Sequence, residues 1–225
     1  MKRKIIITDD GSSSLQLINV KEQYHSTFGA IQEARFVYIK KGLNHIFKTL
    51  KNHKNLAVLE MGFGTGLNAF LTYLYAKKHK ININYTGIEA YPLSADEVLQ
   101  LNYVSQLNVL NEIKVFADFH SLKPNEIKKI TANFKLTFFR GFLENFESKS
   151  KYNLIYFDAF SPGIQPELWT EAIFNKMFNL LNPQGVLVTY SAKGQVRRNM
   201  QEVGFTIERL PGPTGKREML RATKV

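Results

Sequence analysis

The chain has 225 residues, 44% of them hydrophobic, enough for one domain with a sizeable core and a small appendage. Thirty Lys and Arg against nineteen Asp and Glu give a formal charge of +11, which suits a polyanionic partner such as RNA, though charge of this kind also serves solubility alone. With no cysteine, disulfides, Cys-ligated zinc, thiol nucleophiles and cysteine-based methyl transfer are excluded, and the five histidines show no pair at metal-ligand spacing.

Met1 to Leu17 reads as two short strands around the turn-rich Asp9-Asp10-Gly11-Ser12-Ser13-Ser14, a β-hairpin added to the main fold. The basic start is followed by an apolar stretch too short for a signal peptide. No later run is long enough to span a membrane, so the expectation is a cytoplasmic protein. Val20 to Glu33 is polar and irregular, contains Tyr24, His25 and Ser26, and reads as a lid before the pattern turns helical through Val37, Ile39 and Leu43 to Leu50. His25 is a candidate base, although a lone loop histidine more often makes a structural hydrogen bond.

Leu56 to Leu59 reads as a buried strand that meets Glu60 and then Gly62, Gly64 and Gly66, before a helix through Ala69 to Lys78. Glycines let the backbone turn sharply and approach a ligand, and the helix start behind them offers unpaired N–H groups. A dinucleotide fingerprint wants a third glycine at position 67, which is leucine here; E-x-G-x-G-x-G fits S-adenosylmethionine methyltransferases better. Either reading expects an acid at the end of the next strand for ribose hydroxyls, and Ile83 to Glu89 supplies Glu89.

Ala95 to Val104 reads as a helix, 108–135 as a mixed region that the pattern does not divide, and Leu136 to Arg140 as a strand. Tyr152 to Phe157 is a further strand, stopped at Ser161-Pro162, which puts Asp158 to Ser161 on a loop at the carboxyl edge where doubly wound sheets bind ligands. A helix over Pro166–Leu181, a turn at Asn182-Pro183-Gln184-Gly185 and a strand Val186 to Tyr190 complete another βαβ unit. Phe205 to Leu210 and Glu218 to Thr223 flank a basic loop as an antiparallel hairpin. The fold class is therefore α/β: a Rossmann-like class I methyltransferase with a mostly parallel sheet ending in an antiparallel hairpin. Residues 1–50 form a small N-terminal β/helical extension and lid, and 51–225 the methyltransferase domain.

Methyl transfer to an amine needs a free lone pair beside the donor, and a nearby carboxylate can orient the N–H bonds and take the released proton. Asp158 is placed for this, and Asp158-Ala159-Phe160-Ser161 has the layout of the D/N-P-P-Y/F motif of amino methyltransferases, without its proline or its final aromatic. The bland alternatives are a turn-capping Asp158, a core Phe160 and a helix-anchoring Trp169. Eight basic side chains against three acidic ones lie in 193–225, and Arg197, Arg198, Lys216 and Arg217 are candidates for phosphate contact or for a solvated face.

Tyr24-His25-Ser26 with Gly29, Glu60-x-Gly62-x-Gly64-x-Gly66-Leu67-Asn68, Asp158-Ala-Phe-Ser-Pro162, Pro166-Glu-Leu-Trp169-Thr170, Val196-Arg-Arg198, Gly204-Phe205 and Gly215-Lys-Arg-Glu-Met219-Leu220 together resemble the MnmC/MnmD-type tRNA methyltransferases, in their stand-alone form without the FAD oxidase module. The resemblance implies methylation by S-adenosylmethionine of the exocyclic amine of 5-aminomethyl-2-thiouridine at the tRNA wobble position, in the anticodon region, with a separate oxidase possible earlier in the pathway. It implies Asp158 as the catalytic group, Phe160 shaping the base pocket, and Glu60, Gly62, Gly64, Gly66, Asn68 and Glu89 holding the cofactor under the Tyr24 segment. Such enzymes often place an acid after a glycine to bind adenine; here Phe142 follows Gly141, leaving Glu144 or Asp118 as substitutes. The competing readings are a methyltransferase or aminopropyltransferase-like enzyme acting on a small amine, a nicotinamide-binding oxidoreductase, which Leu67 disfavours, and a non-catalytic RNA-binding module.

Overall fold

The apolar run before the glycine loop becomes β3 (Asn55–Met61), which lies between β4 (Asn82–Glu89) and β7 (Tyr152–Phe157), all parallel. The computed structural model describes residues 2–20, 22–50 and 54–225. Outward from β4 come β6 (Phe134–Arg140), parallel to it, and the antiparallel edge strand β5 (Ile127–Thr131). Outward from β7 come β8 (Leu181–Thr189), parallel, then β10 (Glu218–Thr223) and β9 (Thr206–Pro211), each antiparallel to its neighbour. The sheet order is thus β5-β6-β4-β3-β7-β8-β10-β9, a mostly parallel sheet closed by an antiparallel hairpin, as expected for the class I methyltransferase fold.

Alternation along the strands assigns the two faces. Val58, Leu154, Tyr156, Val186 and Val188 pack under the helical stretch 30–49 and α3 (Leu67–His79), with α6 (Ile113–His120) beside them. Their neighbours Leu59, Ile155, Phe157 and Leu187 face α7 (Glu171–Leu180) and α8 (Gly194–Glu202). Both faces are covered, which is why the strands read as continuous apolar runs. The expected N-terminal hairpin is present as β1 (Arg3–Ile7) and β2 (Ser13–Leu17). Residues 51–53, beside the boundary drawn between the extension and the methyltransferase domain, lie outside the described residues.

Several elements differ from their sequence-based expectation. The helix over 95–104 is two short pieces, α4 (Ala95–Leu99) and α5 (Tyr103–Gln106). Asn102 is drawn out between them: its N–H donates to Ser13 Oγ (2.9 Å), its Oδ1 accepts from Ser13 N (2.7 Å) and its Nδ2 donates to Gly11 O (2.9 Å). The helix over 166–181 is a 3₁₀ turn, Pro166–Trp169, followed by α7, because Thr170 is extended and its Oγ1 caps Ile173 N. β8 starts at Leu181 rather than after the Asn182-Pro183-Gln184-Gly185 turn, with a register irregularity in its pairing with β7. The mixed region 108–135 resolves into a 3₁₀ turn, Leu110–Glu112, then α6, β5 and the start of β6. In the stretch 30–49, α1 (Ala30–Ala34) and α2 (Asn44–Thr49) are joined by a nine-residue π-helical segment, Arg35–Leu43, which nothing in the apolar spacing announces.

Candidate active site

The carboxyl ends of β3, β4 and β7 converge on a cavity of about 450 Å³. One wall is the loop between β3 and α3. Gly62 (φ +86°) and Gly64 (φ +50°) adopt the left-handed region that side-chain-bearing residues avoid. A Cβ on Gly62 would stand 2.2 Å from the Asp158 carbonyl, so only glycine fits there. The loop is fastened to β4 by Gly62 N and Phe63 N, both donating to Ile88 O (3.1 and 3.0 Å), while the Phe63 ring lies where a Cβ on Gly87 would be.

Glu89, at the end of β4, accepts from Gly64 N at Oε2 (2.9 Å) and from Tyr91 N at Oε1 (2.8 Å). Burial lifts its carboxyl above the usual range, and those two backbone donors oppose the shift. A half-buried carboxylate beside backbone turned outward by glycines is the chemistry a ribose diol and an amino-acid tail require.

Asp158 stands directly after β7, its N–H donating to Met61 O (2.9 Å), so it abuts the glycine loop. Its Oδ1 accepts from the Tyr38 hydroxyl (2.6 Å) and its Oδ2 from Asn68 Nδ2 (2.8 Å). The same Nδ2 donates to Glu60 Oε1 (2.9 Å), and Tyr85 donates to Glu60 Oε2 (2.7 Å). Glu60 is 0% exposed, and burial holds its carboxyl well above the usual range against these two donors. Burial likewise pushes Asp158 up to about 7; the Tyr38 and Asn68 hydrogen bonds pull it down, and the Glu33 carboxylate pushes it further up. A cavity-lining carboxylate poised near neutrality can accept the proton of an amine.

The opposite wall is assembled from distant parts of the chain. Tyr24 lies edge-on to Phe160 (5.1 Å between centroids) and covers Gly64, and Arg3, from β1, donates to the Tyr24 hydroxyl (2.9 Å). His25 pairs Nδ1 with Ser14 Oγ (3.0 Å) and Nε2 with Thr65 Oγ1 (3.4 Å); burial lowers it to about 4, so it is neutral at pH 7. Ser161 Oγ donates to Glu22 Oε2 (2.8 Å). Lys216, from the β9–β10 loop, donates to Glu33 Oε1 (2.6 Å) and rests 3.8 Å above the Tyr190 ring.

Of the residues singled out from the sequence, Tyr24, Gly62, Gly64, Asn68, Glu89, Asp158, Phe160 and Lys216 line this cavity. Glu60 sits behind it, bonded to Asn68, and Gly66 starts α3 without lining it. Arg197 and Arg198 lie on α8, where Arg198 bonds Gln195, and Arg217 is exposed beyond Lys216. Phe142 and Glu144 both line the cavity, Phe142 53% exposed and edge-on to Tyr91, whereas Asp118 is paired with Lys128 (2.8 Å) outside the lining. Sequence reasoning missed Tyr38, Glu33 and Tyr190. Tyr190 directly follows β8 at the ligand edge and had that signal; Tyr38 and Glu33 had none, since the partners that bring them to the site, Asp158 and Lys216, are distant in the chain.

A model of the S-adenosyl-L-methionine-dependent methyltransferase family matches residues 104–225. The tRNA 5-methylaminomethyl-2-thiouridine biosynthesis bifunctional protein MnmC of Leptospira borgpetersenii is 31% identical over 208 residues, covering 88% of this chain and 31% of its own length. The protein of the same name from Aromatoleum aromaticum is 27% identical over 228 residues, covering 97% of this chain and 35% of its own. The chain therefore spans about a third of the length of these curated relatives. Among solved structures, MNMC2 from Aquifex aeolicus superposes with a TM-score of 0.74 at 22% identity, covering 100% of this chain and 70% of its own. Spermidine synthase from Thermotoga maritima superposes with a TM-score of 0.57 at 14% identity, covering 99% and 70%.

Proposed function

The chain belongs to the S-adenosyl-L-methionine-dependent methyltransferase family, and from that premise we propose that it methylates the exocyclic amine of 5-aminomethyl-2-thiouridine at the wobble position of tRNA. The observation that carries the reading is Asp158, a cavity-lining carboxylate fixed by Tyr38 and Asn68 at the rim of the glycine loop, with Phe160 and Tyr24 beside it.

S-Adenosyl-L-methionine, when bound, supplies an activated methyl group. Glu89 would hold the ribose hydroxyls, and the backbone at Gly62 and Gly64 would take the methionyl part, with the ring of Tyr24 over Gly64 as cover. Asp158 accepts hydrogen bonds from the incoming group, takes the proton that frees the nitrogen lone pair and turns that lone pair toward the glycine loop; as the N–C bond forms, the methyl–sulfur bond would break, leaving a methylated ammonium and a neutral thioether. Phe160 and Tyr24 offer ring surface to a base. The carboxylates of Glu22, Glu33 and Asp158 outnumber Lys216 among these groups, which favours an acceptor that arrives as an ammonium ion. Basic side chains in 193–225 and the charge of +11 suit an RNA carrier. The reading includes a cytoplasmic setting and an earlier oxidase that exposes the amine.

The test is methyl transfer from labelled S-adenosyl-L-methionine into tRNA from cells lacking this protein, followed by nucleoside mass analysis. Label is expected in 5-methylaminomethyl-2-thiouridine, with turnover falling steeply as salt rises. Turnover of a free small amine, insensitive to salt and without label in tRNA, would contradict the reading.

A further inference from the structure

We propose that Tyr38 is a positioning residue for methyl transfer, its hydroxyl holding Asp158 ionised and aimed at the acceptor amine; this rests on the role of Asp158 proposed above.

Tyr38 lies in the π-helical segment Arg35–Leu43, with 119 residues between it and its partner, and it is buried with no part in the cavity lining. It therefore acts through Asp158 rather than on a substrate. π-Helical turns are rare and concentrate at functional sites. The segment sits flush on the sheet: a Cβ on Gly42 would be 3.0 Å from Val188 and 3.4 Å from Tyr156. Packing against the Tyr156 ring (5.2 Å between centroids) leaves the Tyr38 hydroxyl its 2.6 Å bond to Asp158 Oδ1.

That bond divides the labour at the carboxylate. Tyr38 occupies one lone pair of Oδ1 and Asn68 one of Oδ2, so the remaining lone pairs are fixed in direction. A hydrogen bond donated to a carboxylate favours its ionised form. Burial and the Asp158 charge hold the Tyr38 phenol far above neutrality, so the proton stays on Tyr38 while Asp158 carries the charge and accepts the amine proton. The other groups facing Asp158 are Glu33 from the stretch 30–49, Lys216 from the β9–β10 loop, Tyr190 after β8, and Glu60 and Tyr85 behind Asn68. None of these bonds Asp158 directly; among the described residues, Tyr38 is the titratable side chain that does.

The experiment is the pH profile of kcat/KM, from roughly pH 5.5 to 9.5, at saturating S-adenosyl-L-methionine on the amine-bearing tRNA, for the wild type, Tyr38→Phe, and Tyr156→Phe as control. Tyr156 shares the ring cluster, but its hydroxyl pairs with Thr72. Activity rises with pH as Asp158 ionises, so losing the hydroxyl moves the acidic limb of Tyr38→Phe up by about one pH unit; kcat/KM at pH 7 falls about fivefold and recovers at high pH. Cofactor affinity stays within about twofold, since Tyr38 does not line the cavity. Tyr156→Phe keeps the wild-type limb. A Tyr38→Phe limb that coincides with the wild type, or an equal loss at every pH, would overturn the positioning role and leave Asp158 standing. A wild-type profile with no acidic limb, or Asp158→Asn retaining activity, would remove the role of Asp158 and this one with it.

Discussion

The two walls of the cavity are built by opposite means. The glycine-loop wall is a run of consecutive residues, 62–65, bound to Glu89 at the end of the adjacent strand, held by backbone hydrogen bonds to β4 and shaped by positive-φ glycines. The facing wall is stitched from side chains distant in sequence, joined by Tyr38–Asp158, Glu22–Ser161 and Glu33–Lys216. A backbone cradle tolerates almost no change at its glycines, whereas a wall of side-chain contacts can lose one and keep its shape. Thr65 is where the two meet, with His25 at its hydroxyl and His120 Nε2 donating to its carbonyl (3.1 Å).

The sharpest way to break this contrast is Gly62→Ala. The new Cβ meets the Asp158 carbonyl at 2.2 Å in a left-handed backbone, so stability falls by about 3 kcal/mol or more in urea melts, and calorimetry finds no cofactor binding. Acid is expected to act next most strongly, through the joint at Thr65. Burial lowers both His25 and His120 to about 4. The unfolded chain takes up those protons near 6.5 and the folded chain only near 4, so the contribution of each histidine is full above 6.5 and is lost as pH falls from 6.5 to 4, by about 3 kcal/mol each in pH-dependent urea melts, offset in part by the raised carboxyls of Asp158, Glu60 and Glu89, which bind protons more tightly in the folded chain.

Glu89→Gln keeps the fold but weakens the proposed ribose contact. Cofactor affinity drops about tenfold by calorimetry while kcat with saturating cofactor holds within about threefold. Lys216→Ala should have the smallest effect: the Glu33 pair is only partly buried, so thermal melts change by less than about 1 kcal/mol while KM for tRNA rises a few-fold.

The same contrast explains what the sequence discloses. The glycine loop, Glu89 at the end of its strand and Asp158 before Ser-Pro are local signals, written in consecutive residues and in the carboxyl-edge rule. The apolar runs that become the parallel strands are equally local, whereas their order in the sheet is not written in them. Tyr38 carries no such mark, because neither its π-helical backbone nor its partner is encoded near it. The helix over 95–104 breaks at Asn102 for a similar reason: bonds to the distant β1–β2 hairpin override the helical pattern. Asp118, the proposed substitute for an adenine-binding acid, is turned to Lys128 by the equally unforeseen β5, and Phe142, beside Tyr91, presents a ring where an acid is often found.

The central claim is that cofactor holding and amine activation are carried by separate groups, with Asp158 serving only the second. Single-turnover transfer by Asp158→Asn, with S-adenosyl-L-methionine affinity measured on the same sample, addresses it most directly. The account predicts affinity within about threefold of wild type and transfer to tRNA at least about 100-fold slower. Transfer at the wild-type rate, or a loss explained entirely by cofactor affinity, would contradict it.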